Sequence, residues 1–188
     1  MKRSLGAKTL ICPTPAWVVG SYDEQGKPNA MTCAWGGICC SQPPCVAVSL
    51  RKATYTHGNL MKRKAFTVNV PSQALVMQTD YFGIASGREA DKFAATGLTP
   101  IHSDLVDAPY IEEFPLVLEC NIIQIIELGL HTHFVGQIID VKADEEVLNV
   151  AGLPDILKVL PILYSSGDRT YFGVGEPLGR AYTIGKEI

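Results

Sequence analysis

The chain has 188 residues, 47% hydrophobic and 19% charged, and sixteen Lys and Arg against nineteen Asp and Glu give a formal net charge of −3. This is one domain's worth of chain, long enough to bury roughly 70% of the surface its unfolded form exposes, so it needs no disulfide or zinc staple. The acidic total argues against a protein that lives on nucleic-acid phosphates.

In chain order the first half reads as strands. Trp17 to Ser21 leads through an Asp23-Glu24-Gln25-Gly26 turn into Pro28 to Trp35, a hairpin. Gln42-Pro43-Pro44 is a breaker, and Cys45 to Leu50 is a near-continuous apolar strand buried on both faces. Thr54 is an N-cap for a short helix through Met61, with Lys62-Arg63-Lys64 at the end where the dipole favours cations. Phe66 to Val70 is another strand. Ala74 to Phe82 and Glu89 to Ala95 are short helices, the second stopped by Gly97. Leu116 to Leu128 and His131 to Ala143 are long strands rich in Ile and Val, joined by a Gly129-Leu130 turn. Ile162 to Ser165 and Thr170 to Val174 close the pattern. Helices inserted among strands, rather than alternating with them, predict a mainly β fold, a mostly antiparallel barrel in a single domain over 1–188.

The charge is unevenly spread. Between Gln25 and Thr79 stand Lys27, Arg51, Lys52, Lys62, Arg63 and Lys64 and no acidic residue, which leaves ten basic and nineteen acidic residues elsewhere. Such a segment points either to an anionic small ligand or to a solvated basic face. The six cysteines (Cys12, Cys33, Cys39, Cys40, Cys45 and Cys120) show no CxxC spacing, which disfavours zinc and iron–sulfur sites. They read as buried, reduced thiols of a cytoplasmic protein. Lys8 and Pro13-Thr14-Pro15 interrupt any apolar stretch after Met1-Lys2-Arg3, and no run approaches the roughly 18 apolar residues of a membrane span, so no membrane partner is expected.

Common motifs fail one by one. Gly173-Val174-Gly175-Glu176-Pro177-Leu178-Gly179 has one residue too many for a GxGxxG fingerprint and no room after it for a helix and strand. Neither a P-loop, nor HExxH, nor GxSxG occurs. His131 and His133 lie two apart on one strand, so both imidazoles could reach one metal, with Glu119 or Glu127 as a third ligand.

Three segments concentrate the remaining chemistry: Asn29-Ala30-Met31-Thr32-Cys33-Ala34-Trp35, Ser49-Leu50-Arg51-Lys52-Ala53-Thr54-Tyr55-Thr56, and Ser86-Gly87-Arg88-Glu89-Ala90-Asp91-Lys92-Phe93. Hydroxyls beside Arg and Lys suit a dianionic phosphate, with Arg51 able to bind it bidentately and Lys92 as a point charge, or else Ser49 and Thr56 make strand-end and helix-turn hydrogen bonds and Lys92 is a solvated helix residue. Trp35 is either a flat wall for an aromatic ligand or a core tryptophan. With Phe66-Thr67-Val68-Asn69-Val70, Leu118-Glu119-Cys120 and His131-Thr132-His133-Phe134-Val135-Gly136 in the same order, the set resembles the flavin reductase-like, FMN-binding split-barrel family, and within it the flavoredoxins.

The resemblance implies a homodimer of split β-barrels binding FMN near the subunit interface, with the flavin along Asn29 to Trp35. It implies phosphate contacts from Ser49, Arg51, Thr56 and Lys92, with Leu50, Tyr55, Ser86 and Gly87 alongside, and His131 and Tyr164 near the ring. Chemistry would then sit at the flavin and not on a catalytic side chain, Cys33 being the one thiol to watch. Three functions compete: an NAD(P)H-dependent flavin reductase passing electrons to free flavin or another acceptor, an FMN electron carrier between a protein donor and a protein acceptor, and a metal-dependent barrel using His131 and His133.

Overall fold

The computed structural model describes residues 1–187. In chain order the elements are β1 (Thr14–Pro15), β2 (Trp17–Tyr22), β3 (Pro28–Cys33), β4 (Gly36–Ser41), β5 (Pro44–Arg51), α1 (Tyr55–Arg63), β6 (Ala65–Val70), α2 (Val76–Ile84), α3 (Lys92–Thr96), β7 (Pro100–His102), β8 (Pro109–Ile111), β9 (Leu116–Leu128), β10 (His131–Ala143), α4 (Ile156–Val159), β11 (Leu163–Ser165) and β12 (Thr170–Phe172).

One seven-stranded sheet carries the fold, in the order β3-β2-β6-β9-β10-β5-β4, with every pairing antiparallel. The sheet curls around Val19, Val46, Val48, Leu50, Phe66, Val68, Cys120 and Phe134. Period-two alternation sends the neighbouring Val18 and Ala30 to the opposite face, where α2 and α3 cover them with Phe82 and Phe93. The expected mainly β, antiparallel barrel with inserted helices is the observed architecture.

Local chemistry explains the inserted helices. The Thr54 side chain accepts from the His57 amide, and α1 ends where Lys64 turns left-handed at φ 56° and donates its N–H to Leu60. The Asp91 side chain caps α3 at the Ala94 amide, and Gly97 closes it at φ 70°. That cap starts α3 three residues later than the composition of Glu89 to Ala95 suggests.

Several elements differ from the sequence reading. The strand beginning at Pro28 stops at Cys33, and Gly36 opens a further strand, β4. Its glycine pair hides the pattern, yet a Cβ on Gly36 would lie 2.8 Å from the Trp17 ring. The short β1, β7, β8 and α4 carry too few residues to show a period. Cys33, Cys45 and Cys120 are buried, but Cys12, Cys39 and Cys40 are exposed, and all six are free thiols.

The basic segment also resolves. Lys27 pairs with Asp91, Lys52 with Glu127, Lys62 with Glu24 and Arg63 with Asp107. Arg63 also donates to the backbone carbonyls of Asp23 and Glu24. Four of the six cations therefore have carboxylate partners among the described residues, leaving Arg51 and Lys64.

Gly136 on β10 marks a close approach. A Cβ there would meet Phe66 Cζ at 2.5 Å and Cys120 Cβ at 2.9 Å. Gly136→Ala should therefore cost about 1–3 kcal/mol of stability by overpacking a rigid core. Chemical denaturation measures this, and an unchanged midpoint would contradict the packing described.

Candidate functional site

The pairing of β5 with β10 sets the site. Arg51 lies opposite His131 and Ser49 opposite His133. Because Val48, Leu50 and Phe134 point into the barrel, these four side chains share its outer face. Ser49 Oγ and His133 Nδ1 share a hydrogen bond of 2.7 Å. Thr54 donates to the Arg51 carbonyl at 2.9 Å, fixing the backbone just where the guanidinium leaves the sheet.

Around them opens a basin of about 450 Å³, inside the range typical of small-molecule sites. Met31, Thr32, Cys33, Ala34, Trp35, Ser49, Leu50, Arg51, His131 and Tyr164 line it, all of them expected from the sequence. Thr9, Thr54, Gly83 and Ser166 join them. Thr54 was legible as a helix cap, but nothing local marked the other three, which arrive through tertiary packing. Gly83 comes in with α2, whose Thr79 carbonyl accepts from Thr32 Oγ1. Tyr164 reaches the basin on β11, held by β1 on one side and β12 on the other.

The electrostatics are one-sided. Among the described residues no Asp or Glu lines the basin. Arg51 is exposed and enters no ion pair among the described residues. Trp35 is half-buried, a wall of the basin rather than a residue sealed in the core. Cys33 is buried against it, and desolvation pushes its thiol up to about 11, so it stays protonated and unreactive.

The other expected residues lie behind the basin. Asn29 Nδ2 donates to Thr56 Oγ1 at 2.9 Å and Ser21 Oγ at 3.4 Å, all three groups being buried. Tyr55 gives its hydroxyl to Asp23 Oδ2 at 2.9 Å. Gly87 packs so tightly on Asn29 that a Cβ would sit 2.2 Å from its Oδ1, and Ser86 Oγ accepts from the Arg88 amide. Lys92 is 4% exposed, its Nζ donating to the carbonyls of Ala30 at 2.7 Å and Phe82 at 3.0 Å. Its ammonium therefore joins β3 to α2 and does not reach the basin.

The two-histidine metal arrangement finds no third ligand. Glu127 is the register partner of Thr132, on the opposite face, where it accepts from Thr132 and pairs with Lys52. Glu119 is buried against Lys142. Among the described residues no three His, Cys, Asp or Glu groups converge. No helix among them is long and apolar enough to cross a membrane.

Comparison with known proteins gives this geometry a family. Residues 9–172 match the family model described as "Flavin reductase like domain", so the chain belongs to the flavin reductase-like family, a family of flavin-linked oxidoreductases. More particularly, it is similar to the structure of flavoredoxin from Desulfovibrio vulgaris (Miyazaki F), with 54% identity over 98% of this chain and all of that one and a TM-score of 0.94. Flavoredoxin from Methanosarcina acetivorans matches with 31% identity, 100% and 98% coverage and a TM-score of 0.93. A protein of Archaeoglobus fulgidus is 33% identical over 130 residues, 69% of this chain and 72% of its own.

Lys92 supplies a test of the packing behind the basin. Burial lowers its pKa to about 8, whereas an unfolded lysine titrates near 10.4. The burial cost of the charge is thus fully present below pH 8 and relieved as pH rises through that window, because only the unfolded state still binds the proton there. Wild type should gain stability relative to Lys92→Met between pH 8 and about 10.4. A difference that stays flat in urea titrations across that range would contradict the burial.

Proposed function

We propose that the basin binds FMN and that the chain is an FMN-dependent oxidoreductase that takes electrons from NAD(P)H and passes them to free flavin or another acceptor. The observation that carries this reading is a basin that, among the described residues, has no carboxylate, one guanidinium outside any ion pair, hydroxyls beside it and an aromatic wall. Those groups suit the parts of FMN. The Arg51 fork can take the phosphate bidentately, with Ser49, oriented by His133, adding a hydroxyl. Trp35 and Tyr164 offer flat apolar surface for the ring system, and His131 offers a polar edge near it.

Bound there, FMN would supply a centre that accepts hydride at N5 and releases electrons singly or in pairs. The chain's own work is placement. Thr54 and the β5–β10 register hold Arg51 in position, and the Lys92 and Asn29 hydrogen bonds brace β3 from behind. Ile123, Leu128, Leu130, Ile139 and Val141 are exposed on the β9–β10 hairpin, which supports assembly as a homodimer.

A second reading has its own support. The similarity to flavoredoxins favours a carrier whose flavin exchanges electrons with protein partners and needs no nicotinamide.

Two measurements test these assignments. Arg51→Ala should weaken FMN binding about 10- to 100-fold, the worth of a charge-assisted hydrogen bond of about 1.5–3 kcal/mol. Titrating apoprotein into fluorescent FMN reads this, and an unchanged Kd would move the phosphate elsewhere. Mixing the FMN-loaded protein anaerobically with NADH or NADPH should bleach the visible flavin band. No bleaching with either donor would end the reductase reading and leave the carrier.

A further inference from the structure

The three cysteines of the β4–β5 hairpin, Cys39, Cys40 and Cys45, do not line the basin. β4 and β5 are joined by a tight Gln42-Pro43 turn, with Ser41 opposite Pro44 and Cys40 opposite Cys45. A β-bulge falls between Ile38 and Cys40, so Cys39 is the extra residue and both Cys39 and Cys40 face the one rung held by Cys45. Cys39 Sγ lies 3.6 Å from the Cys45 carbonyl oxygen. Cys39 and Cys40 are exposed and Cys45 is buried. Three free thiols thus meet at one rung between the edge strand β4 and its neighbour β5.

Chain geometry selects the pair. Adjacent Cα atoms stand about 3.8 Å apart, too close for the roughly 4.4–6.8 Å a relaxed disulfide spans, which excludes Cys39 with Cys40. Directly opposed residues of an antiparallel ladder lie about 4.5–5.5 Å apart, inside that span. We propose that the β4–β5 hairpin is a thiol–disulfide site in which Cys40 and Cys45 close a reversible cross-strand disulfide on meeting a low-molecular-weight disulfide.

The exposed Cys40 thiolate attacks one sulfur of the small disulfide and releases the first small thiol, leaving a mixed disulfide on Cys40. Cys45 then displaces the second small thiol. Two cysteine thiols are oxidised, one small disulfide is reduced to two thiols, and the two cysteine protons end on those products. Burial raises the Cys45 thiol, consistent with Cys40 as the point of entry. Cys45 stands four residues, roughly 13 Å along the strand, from Ser49, so the site is independent of the proposed flavin chemistry.

The test uses the cofactor-loaded protein in a Cys12→Ser background, which removes the other exposed thiol. After exposure to oxidised glutathione, the denatured protein is alkylated with N-ethylmaleimide and weighed intact. The background protein and its Cys39→Ser variant should each lose two alkylatable thiols, retain no glutathione and recover both thiols with dithiothreitol. Cys45→Ala should trap one glutathione, and Cys40→Ser should close no internal disulfide. Full alkylation of the treated background protein, glutathione retained on it, or an internal disulfide in Cys40→Ser would each overturn the proposal.

Discussion

The antiparallel register between β5 and β10 is the constraint on which the site depends. It aligns Arg51 with His131 and Ser49 with His133 on the outer face of the barrel, while Val48, Leu50 and Phe134 fill the inner face. A slip of one residue would turn every one of these side chains over, sending a guanidinium into the core and Leu50 into solvent. The core's demand for apolar side chains therefore also fixes the polar face. Gly136 and the bulges in β9–β10 adjust the sheet's curvature around that requirement.

Charge is distributed so as to leave one cation at the basin without a carboxylate partner among the described residues. Lys27, Lys52, Lys62 and Arg63 each meet a carboxylate from outside the basic segment. Most of these are exposed pairs that add little to stability individually. Their effect is to cancel much of a broad positive surface, while Arg51 keeps its charge beside a basin that no carboxylate of the described residues lines. Lys92 is a contrasting use of charge, an ammonium buried to satisfy two carbonyls between β3 and α2.

The elements with a clear period were legible in the sequence. The long strands β9 and β10 have the bounds that their Ile- and Val-rich runs predict, and Thr54 and Gly97 mark helix ends as capping chemistry requires. β4 was not legible, because a Gly-Gly start and a bulge erase its alternation. Within the site, contiguous residues such as Met31 to Trp35 could be read together. The directions taken by Lys92, Tyr55 and Asn29 could not, since they depend on carbonyls and hydroxyls brought near only by the fold. The same holds for Thr9 and Ser166, which reach the basin from the two ends of the chain.

Whether the basin is a flavin site is tested most directly by the absorption spectrum of the freshly purified protein. The prediction is a visible flavin band whose chromophore is released on denaturation and has the mass of FMN. A colourless protein that also takes up no added FMN would contradict it.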